Sequence, residues 1–371
     1  MKTRNKLIVG GLAAGALFAG TAGSVAVVVA ARRALDGFGR LRRGRAYDAF
    51  GLRWLGEGED LRGQTVLITG GSRGLGLALA EEFALHGCKI ALCARNEQEL
   101  ARARQQVEGL GAEVRAVACD VSKPEQVDHL ISAVHRQFGR IDILVNNAGI
   151  MTVGPLHSHG RNDFHEAMDV IFWGMVNPTL AVLPAMIEHG KGRIINVTSI
   201  GGKVSMPHLL PYSAAKFAAV GFSEGLHAEV KHFGVRVLTV VPGLMRTGSH
   251  VNARFKGDHR HEYGWFAVAG TNPLLSISAA RAARKIVDAA RHNRAEVVLG
   301  WQAQVLAHAH HISPELSAEV LALVNRLLPK AAREVTEAKR GIESGPAMTR
   351  SPLTKLGRKA ARRYNQMEES A

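Results

Sequence analysis

Tyr212 and Lys216 stand four positions apart in the stretch Tyr212-Ser213-Ala214-Ala215-Lys216. On a helix, positions i and i+4 share a face, which would set an ammonium beside a phenol. A neighbouring positive charge favours phenolate and lowers a pKa that is ordinarily about 10. A tyrosine tuned this way can exchange a proton with an alcohol or a carbonyl at neutral pH. Ser199 closes an apolar run shortly before this stretch, and its hydroxyl is placed to hold the reacting oxygen near the phenol.

A second group lies far upstream, in Thr69-Gly70-Gly71-Ser72-Arg73-Gly74-Leu75-Gly76. Glycines at 70, 74 and 76 permit a tight turn and a close approach of backbone to phosphate. The helix that follows offers free N–H groups and its positive dipole end. The next apolar run ends in Ala94-Arg95. Sites for an unphosphorylated adenosine ribose usually carry an acid there. Arg95, together with Arg73 in the turn, suits a 2′-phosphate instead, and therefore NADP(H).

These groups need elements to hold them. Short apolar runs at 64–69, 89–94, 113–119, 141–146, 193–198, 235–241 and 295–299 alternate with helix-like segments near 74–86, 96–109, 123–138, 161–189, 212–232 and 278–292. Continuously apolar strands imply burial on both faces, hence a parallel sheet between two helix layers. The expected fold is α/β: a doubly wound Rossmann-type parallel sheet of about seven strands. Residues 244–277 interrupt the alternation and carry Phe255, Tyr263, Trp265 and Phe266, as a lid over a pocket would.

Taken together, the motifs give a family resemblance over about 62–300. The chain resembles the short-chain dehydrogenases/reductases. Thr69 to Gly76 matches the family's glycine-rich turn, and Asn146-Asn147-Ala148-Gly149 matches the motif that closes its fourth strand. Ser199, Tyr212 and Lys216 match its catalytic serine, tyrosine and lysine. The resemblance implies that Asp120, with Val121 beside it, meets the adenine. It also implies that Pro242, Gly243 and Thr247 contact the nicotinamide end. In the mechanism it implies, hydride passes between nicotinamide and the substrate carbon. Tyr212 gives or takes the proton, Lys216 binds the nicotinamide ribose, and Ser199 polarises the carbonyl. No metal is needed, and dimers or tetramers are expected. One position departs from the pattern. Ile171, in Val170-Ile171-Phe172-Trp173-Gly174, replaces an asparagine that serves a water relay in many members.

Composition limits the remaining possibilities. With 46% apolar residues among 371, the chain should build a globular body. Three cysteines, Cys88, Cys93 and Cys119, all in apolar runs, read as reduced core residues. His308, His310 and His311 lack a partner carboxylate or cysteine at ligand spacing and read as surface histidines. The net charge of +15 is concentrated at the ends: residues 1–45 hold nine Lys/Arg against one acid, and 331–371 hold nine against five. These basic segments lack the aromatic interleaving and reading motifs of a nucleic-acid binder.

Leu7 to Ala31 is a run of 25 residues without a charge. As a helix it would span roughly 37 Å, more than a hydrocarbon core of about 30 Å. Its length and the basic cluster that follows favour a retained single-pass anchor over a cleaved signal peptide. The larger basic excess on the C-terminal side places the following domain in the cytoplasm. The expected organisation is an anchor (1–31), a basic linker (32–61), the Rossmann-type domain (62–301), a helical extension (302–330) and a basic, mobile tail (331–371). The extension carries Leu306, Leu316, Leu321, Leu323, Val324, Leu327 and Leu328. Packing against the domain or a sister subunit is its simpler reading, and a pocket flap touching lipid is the sharper one.

The whole points to a membrane-anchored oxidoreductase acting on a hydrophobic ketone, aldehyde or secondary alcohol, of aliphatic, lipid-like or steroid-like kind. Met151, Val153, Leu209, Leu210, Leu244 and Trp265 are the expected pocket residues. The rival reading is a non-catalytic NADP(H)-binding sensor or scaffold at the membrane, with Ile171 as its support.

Overall fold

The computed structural model describes residues 58–329, 337–345 and 354–367. The expected anchor and nearly all of the expected linker lie outside them. Seven strands form one sheet: β1 (Thr65–Thr69), β2 (Lys89–Ala94), β3 (Val114–Ala118), β4 (Ile143–Asn146), β5 (Gly192–Val197), β6 (Val235–Pro242) and β7 (Glu296–Leu299). Their spatial order is β7-β6-β5-β4-β1-β2-β3, and every neighbouring pair is parallel. Order reverses at the β1/β4 boundary, which is where such sheets open a crevice beyond their carboxyl ends.

Helices cover both faces, as two-sided burial of the strands requires. The helices α1 (Gly74–Leu85) and α2 (Glu97–Glu108) pack on one face. The helices α3 (Pro124–Phe138), α4 (Arg161–Glu188) and α5 (Leu210–Val230) pack on the other. Local signals set several of the helix starts: Asn96 caps α2 by accepting the Glu99 N–H, and Pro124 opens α3. By length and composition α4 could cross a membrane, with a mean hydropathy of 1.7. Half of its apolar window is nevertheless buried inside the fold, and it serves as a core helix. It widens to a π-helix over Met168–Trp173, around the buried Ile171. Cys88, Cys93 and Cys119 are free and buried.

The folded unit starts before the expected boundary at 62. Leu61 is buried in the core, the Glu59 N–H donates to the Arg291 carbonyl, and the Glu59 carboxylate accepts from Arg193.

Beyond β6 the chain builds a cover. Met245–Arg246 pairs with Ile277–Ser278, and Arg254–Phe255 lies between Thr152–Val153 and Lys339–Arg340. Helix α6 (His259–Thr271) completes this cover, with Phe255, Tyr263 and Phe266 packed edge to face as its own small core. One buried contact, between Glu262 and His208, fastens it to the loop that leads into α5, and a second hydrogen bond of Glu262 is internal to the helix. The Glu262 carboxylate accepts the Trp265 indole N–H at 2.8 Å and meets His208 Nδ1 at 2.8 Å. His208 has a φ of +63°, so the loop leading into α5 is held in a conformation most side chains avoid.

Helix α7 (Ala279–Arg291) packs beside α1, and β7 leads into α8 (Trp301–Ile312) and α9 (Pro314–Leu327). The first helix of the extension packs on the domain through Gln302 and Ala303, and the second lies more open. No residue of α9 is buried. The described parts of the tail are docked on the fold. Helix α10 (Lys355–Arg363) buries Gly357 and Ala361, and Tyr364 joins the core cluster of α1 and α7. Small residues and one tyrosine supply the contact, while Lys355, Lys359 and Arg362 face solvent.

Replacing Glu262 with alanine orphans His208 Nδ1 and Trp265 Nε1 inside the cover. Each buried group left without a partner costs about 1–3 kcal/mol. The variant should show a loss in that range or above it in denaturant unfolding, with faster amide exchange across 259–271.

Candidate active site

The turn after β1 and the end of β4 are locked together before any ligand is considered. The Thr69 hydroxyl accepts the N–H groups of Asn147 and Ala148 at 2.9 and 3.1 Å. The Asn147 amide returns two hydrogen bonds, to the carbonyls of Thr69 and Gly70. A Cβ on Gly76 would stand 2.2 Å from the Gly70 oxygen, so this glycine lets α1 sit against its own turn. Thr69 and Gly76 therefore do not reach the cleft wall as expected of cofactor contacts. They brace the turn from behind.

In front of the turn opens a cleft of about 960 Å³. That is at the upper end of the range of roughly 300–1,000 Å³ for ligand sites. Every other expected site residue lines it: Gly70, Ser72, Arg73, Gly74, Leu75, Arg95, Asp120, Val121, Asn147, Ala148, Gly149, Ser199, Tyr212, Lys216, Pro242, Gly243 and Thr247. Helix α1 begins without a side-chain cap and without an acid in its first turn. Its positive dipole end therefore faces the cleft without a carboxylate from that turn beside it, as a dinucleotide diphosphate requires.

Ser199, Tyr212 and Lys216 come together at the floor. Ser199 ends the run after β5, where its Oγ accepts the Gly201 N–H at 3.0 Å and hydrogen-bonds with the Tyr212 phenol. Lys216, on the same face of α5, donates to the Val197 carbonyl at 2.8 Å, with its Nζ 5.8 Å from the Tyr212 ring centre. Among the described residues no carboxylate pairs with this ammonium, and burial alone lowers its pKa to about 8. The expected depression of the Tyr212 pKa by Lys216 is not met. Burial pushes the phenol up, and the hydrogen bond with Ser199 offsets this only in part. The tyrosine remains a protonated acid at neutral pH. Ile171 is 1% exposed and packs with Ala167, Met175, Ala215 and Ala219, behind the phenol.

The adenosine end holds a residue that reading the strand ends alone missed. Glu99, on the first turn of α2, lines the cleft, accepts from Ser72 Oγ at 3.1 Å and pairs with Arg73 at 2.9 Å. Arg95 stands exposed beside them. Asp120 spends one oxygen on the Ser122 N–H and hydroxyl.

The other end is apolar. Met151, Leu209, Leu244 and Trp265 line it as expected, joined by Phe266 and Leu275 of the cover. Val153 and Leu210 do not. The first is sealed in the cover's core, and the second points outward at 39% exposure. Leu306 of α8, Leu321 and Val324 of α9, and Leu328 just after it line the same wall. Their helical spacing is visible in the sequence, but not the cavity they face. His250, buried in this wall, has its pKa lowered to about 4 and so contributes a neutral ring at pH 7.

Comparison with known proteins agrees with this geometry. Residues 64–256 match the short chain dehydrogenase family model. A dehydrogenase/reductase SDR family protein 7-like of Anopheles gambiae is 39% identical over 198 residues, 52% of this chain and 62% of the relative's length. The mouse dehydrogenase/reductase SDR family member 7B is 30% identical over 243 residues, covering 64% of this chain and 74% of the relative. A short chain dehydrogenase/reductase from Burkholderia phymatum, solved in complex with NAD, superposes with a TM-score of 0.63 at 25% identity, over 70% of this chain and 96% of that one. A Rossmann-type sheet, a cleft at its switch point and the matching family model lead to one conclusion: this chain belongs to the short-chain dehydrogenase family, oxidoreductases that bind a nicotinamide cofactor and act on alcohol and carbonyl groups.

Proposed function

We propose that the chain is an NADP(H)-dependent reductase of a hydrophobic ketone or aldehyde, with Tyr212 as the proton donor. The observation that carries this reading is the placement of Ser199, Tyr212 and Lys216 at one floor, between the glycine-rich turn and an apolar chamber. When bound, a nicotinamide dinucleotide supplies the hydride. Ser199 Oγ holds the substrate oxygen beside the phenol. Tyr212 delivers its proton to that oxygen as the carbon gains the hydride, leaving an alcohol and a phenolate. Lys216 holds the nicotinamide ribose, with its ammonium 5.8 Å from the centre of the Tyr212 ring.

The preference for NADP(H) rests on Arg73 and Arg95 at the adenosine end. Arg73 must share its guanidinium between Glu99 and a 2′-phosphate, whereas Arg95 is free to turn. The hydrophobic substrate rests on the chamber wall of Trp265, Phe266, Leu321 and Val324. Membrane attachment through residues 7–31, with the domain in the cytoplasm, fits the reading of the extension as a flap. There α9 is apolar on two faces, one toward the cleft and one outward, with Leu316, Leu323 and Leu327 at least half exposed. Assembly into dimers or tetramers is carried over from the family.

The non-catalytic reading keeps one observation, the apolar burial of Ile171 behind the phenol. NADPH oxidation followed at 340 nm over long-chain and polycyclic carbonyls separates the two. Turnover is expected in the wild type and is lost in Tyr212→Phe with NADPH binding unchanged. Binding without turnover across the panel would favour the sensor.

Two further outcomes follow from charge. Lys216 is cationic below its pKa of about 8 and neutral above it. Reduction should therefore be flat with pH through neutrality and fall as pH rises through about 8, read as kcat against pH. Substituting either Arg73 or Arg95 alone by alanine removes a charge-assisted contact worth about 1.5–3 kcal/mol. Steady-state kinetics should show kcat/KM for NADPH down roughly 10- to 100-fold, with NADH little changed. An equal loss with both cofactors would sink the 2′-phosphate assignment.

A further inference from the structure

The segment 354–367 bridges the glycine-rich turn and the cover. On the turn side, the Tyr364 carbonyl accepts the Gly74 N–H at 2.8 Å. Asn365, with a φ of +56°, donates to the carbonyls of Ser72 and Glu99 at 2.9 and 3.0 Å. On the cover side, Ala361 lies so close to Gly248 that a Cβ there would be 2.4 Å from its Cα. Backbone fit on both sides makes this a built contact. Its last buried residue, Gln366, is 8% exposed and lines the cleft.

The orientation of the Gln366 amide follows from a chain of donors. Arg340, which can only donate, gives a hydrogen bond to Asn252 Oδ1. Asn252 must then present its Nδ2, which donates to Gln366 Oε1 at 2.7 Å and to the Gln366 carbonyl at 2.8 Å. With its oxygen held, Gln366 turns its NH₂ toward the turn. A Cβ on Gly74 would stand 2.6 Å from Nε2 and 3.8 Å from the Thr247 Cβ. Two N–H donors thus sit where α1 begins, between the glycine-rich turn and Thr247.

We infer that Gln366 binds the diphosphate of the dinucleotide, and that 354–367 is a strap tying the cover to the cofactor turn. This rests on the cleft holding a dinucleotide, not on which one. A neutral amide adds a donor to an anion without a charge, and its polarity is imposed from Arg340 through Asn252.

The test uses the full chain in detergent, with NADPH, NADH, ADP-ribose and adenosine 2′-monophosphate titrated calorimetrically. Gln366→Ala should raise Kd roughly 10-fold or more for the three diphosphate ligands, as loss of a hydrogen bond to a charged group implies. Gln366→Glu still accepts from Asn252 but sets a negative charge at the site, so its loss should be larger. Adenosine 2′-monophosphate, which has no diphosphate, should bind both variants like the wild type. Unchanged Kd values, tighter dinucleotide binding in Gln366→Ala, or an equal loss for the monophosphate would overturn the assignment. A wild type that binds none of the dinucleotides would overturn the cofactor reading beneath it, and that is visible before any variant is made.

Discussion

Everything at this site depends on two neighbouring parallel strands whose chains leave in opposite directions. β1 turns into α1 on one face of the sheet, and the chain after β4 leads to α4 on the other. A crevice is the unavoidable result. What makes it a rigid site is the reciprocal hydrogen bonding of Thr69 and Asn147, which satisfies backbone groups that neither turn could satisfy alone. The glycine spacing works in the same direction. Gly76 admits the turn's own carbonyl, and Gly74 admits the strap.

Inside the crevice, burial governs the charges. An ammonium that meets one carbonyl and no carboxylate is held at a cost, and its pKa moves toward neutrality. The same dry surroundings keep the Tyr212 phenol protonated. Groups perturbed by desolvation in a cleft make this floor a candidate for chemistry. The adenosine end works differently. There the charges are half exposed, Arg73 is already paired with Glu99, and any ligand must compete for it.

Three later segments turn an open crevice into a chamber. The cover contributes aromatic rings stacked on themselves and pinned through Glu262. The α8–α9 pair contributes branched aliphatics, and the strap contributes amide and backbone groups next to the turn. Apolar and polar enclosure are therefore divided by end: hydrocarbon beyond the Ser199–Tyr212 floor, hydrogen-bonding groups beside the glycine-rich turn. The segments also touch one another, since Arg340, Asn252 and Gln366 form one line of hydrogen bonds from the cover to the cleft.

Local periodicity and turn chemistry were enough to read the seven strands, the helices between them and the residues at the strand ends. Those signals are short-range: apolar runs, a glycine-rich turn, and a tyrosine and lysine one helical turn apart. The sequence could not say which way charge would act on Tyr212, because the direction depends on how much water the fold removes and on where the Lys216 Nζ finds an acceptor. Nor could it separate Thr69 and Gly76, which brace the turn, from Gly74 and Leu75, which face the cleft. Glu99 was hidden because its nearness to Ser72 and Arg73 exists only once α2 lies beside the turn. The strap was hidden more deeply, since its buried face is made of Gly357, Ala361, Tyr364 and Gln366 amid five basic residues and gives no hydrophobic stripe. Sequence determined which elements form and which chemistry they carry. Tertiary structure decided which of those residues meet across the crevice, because hydrogen-bond partners and desolvation belong to positions in space and not to positions in the chain.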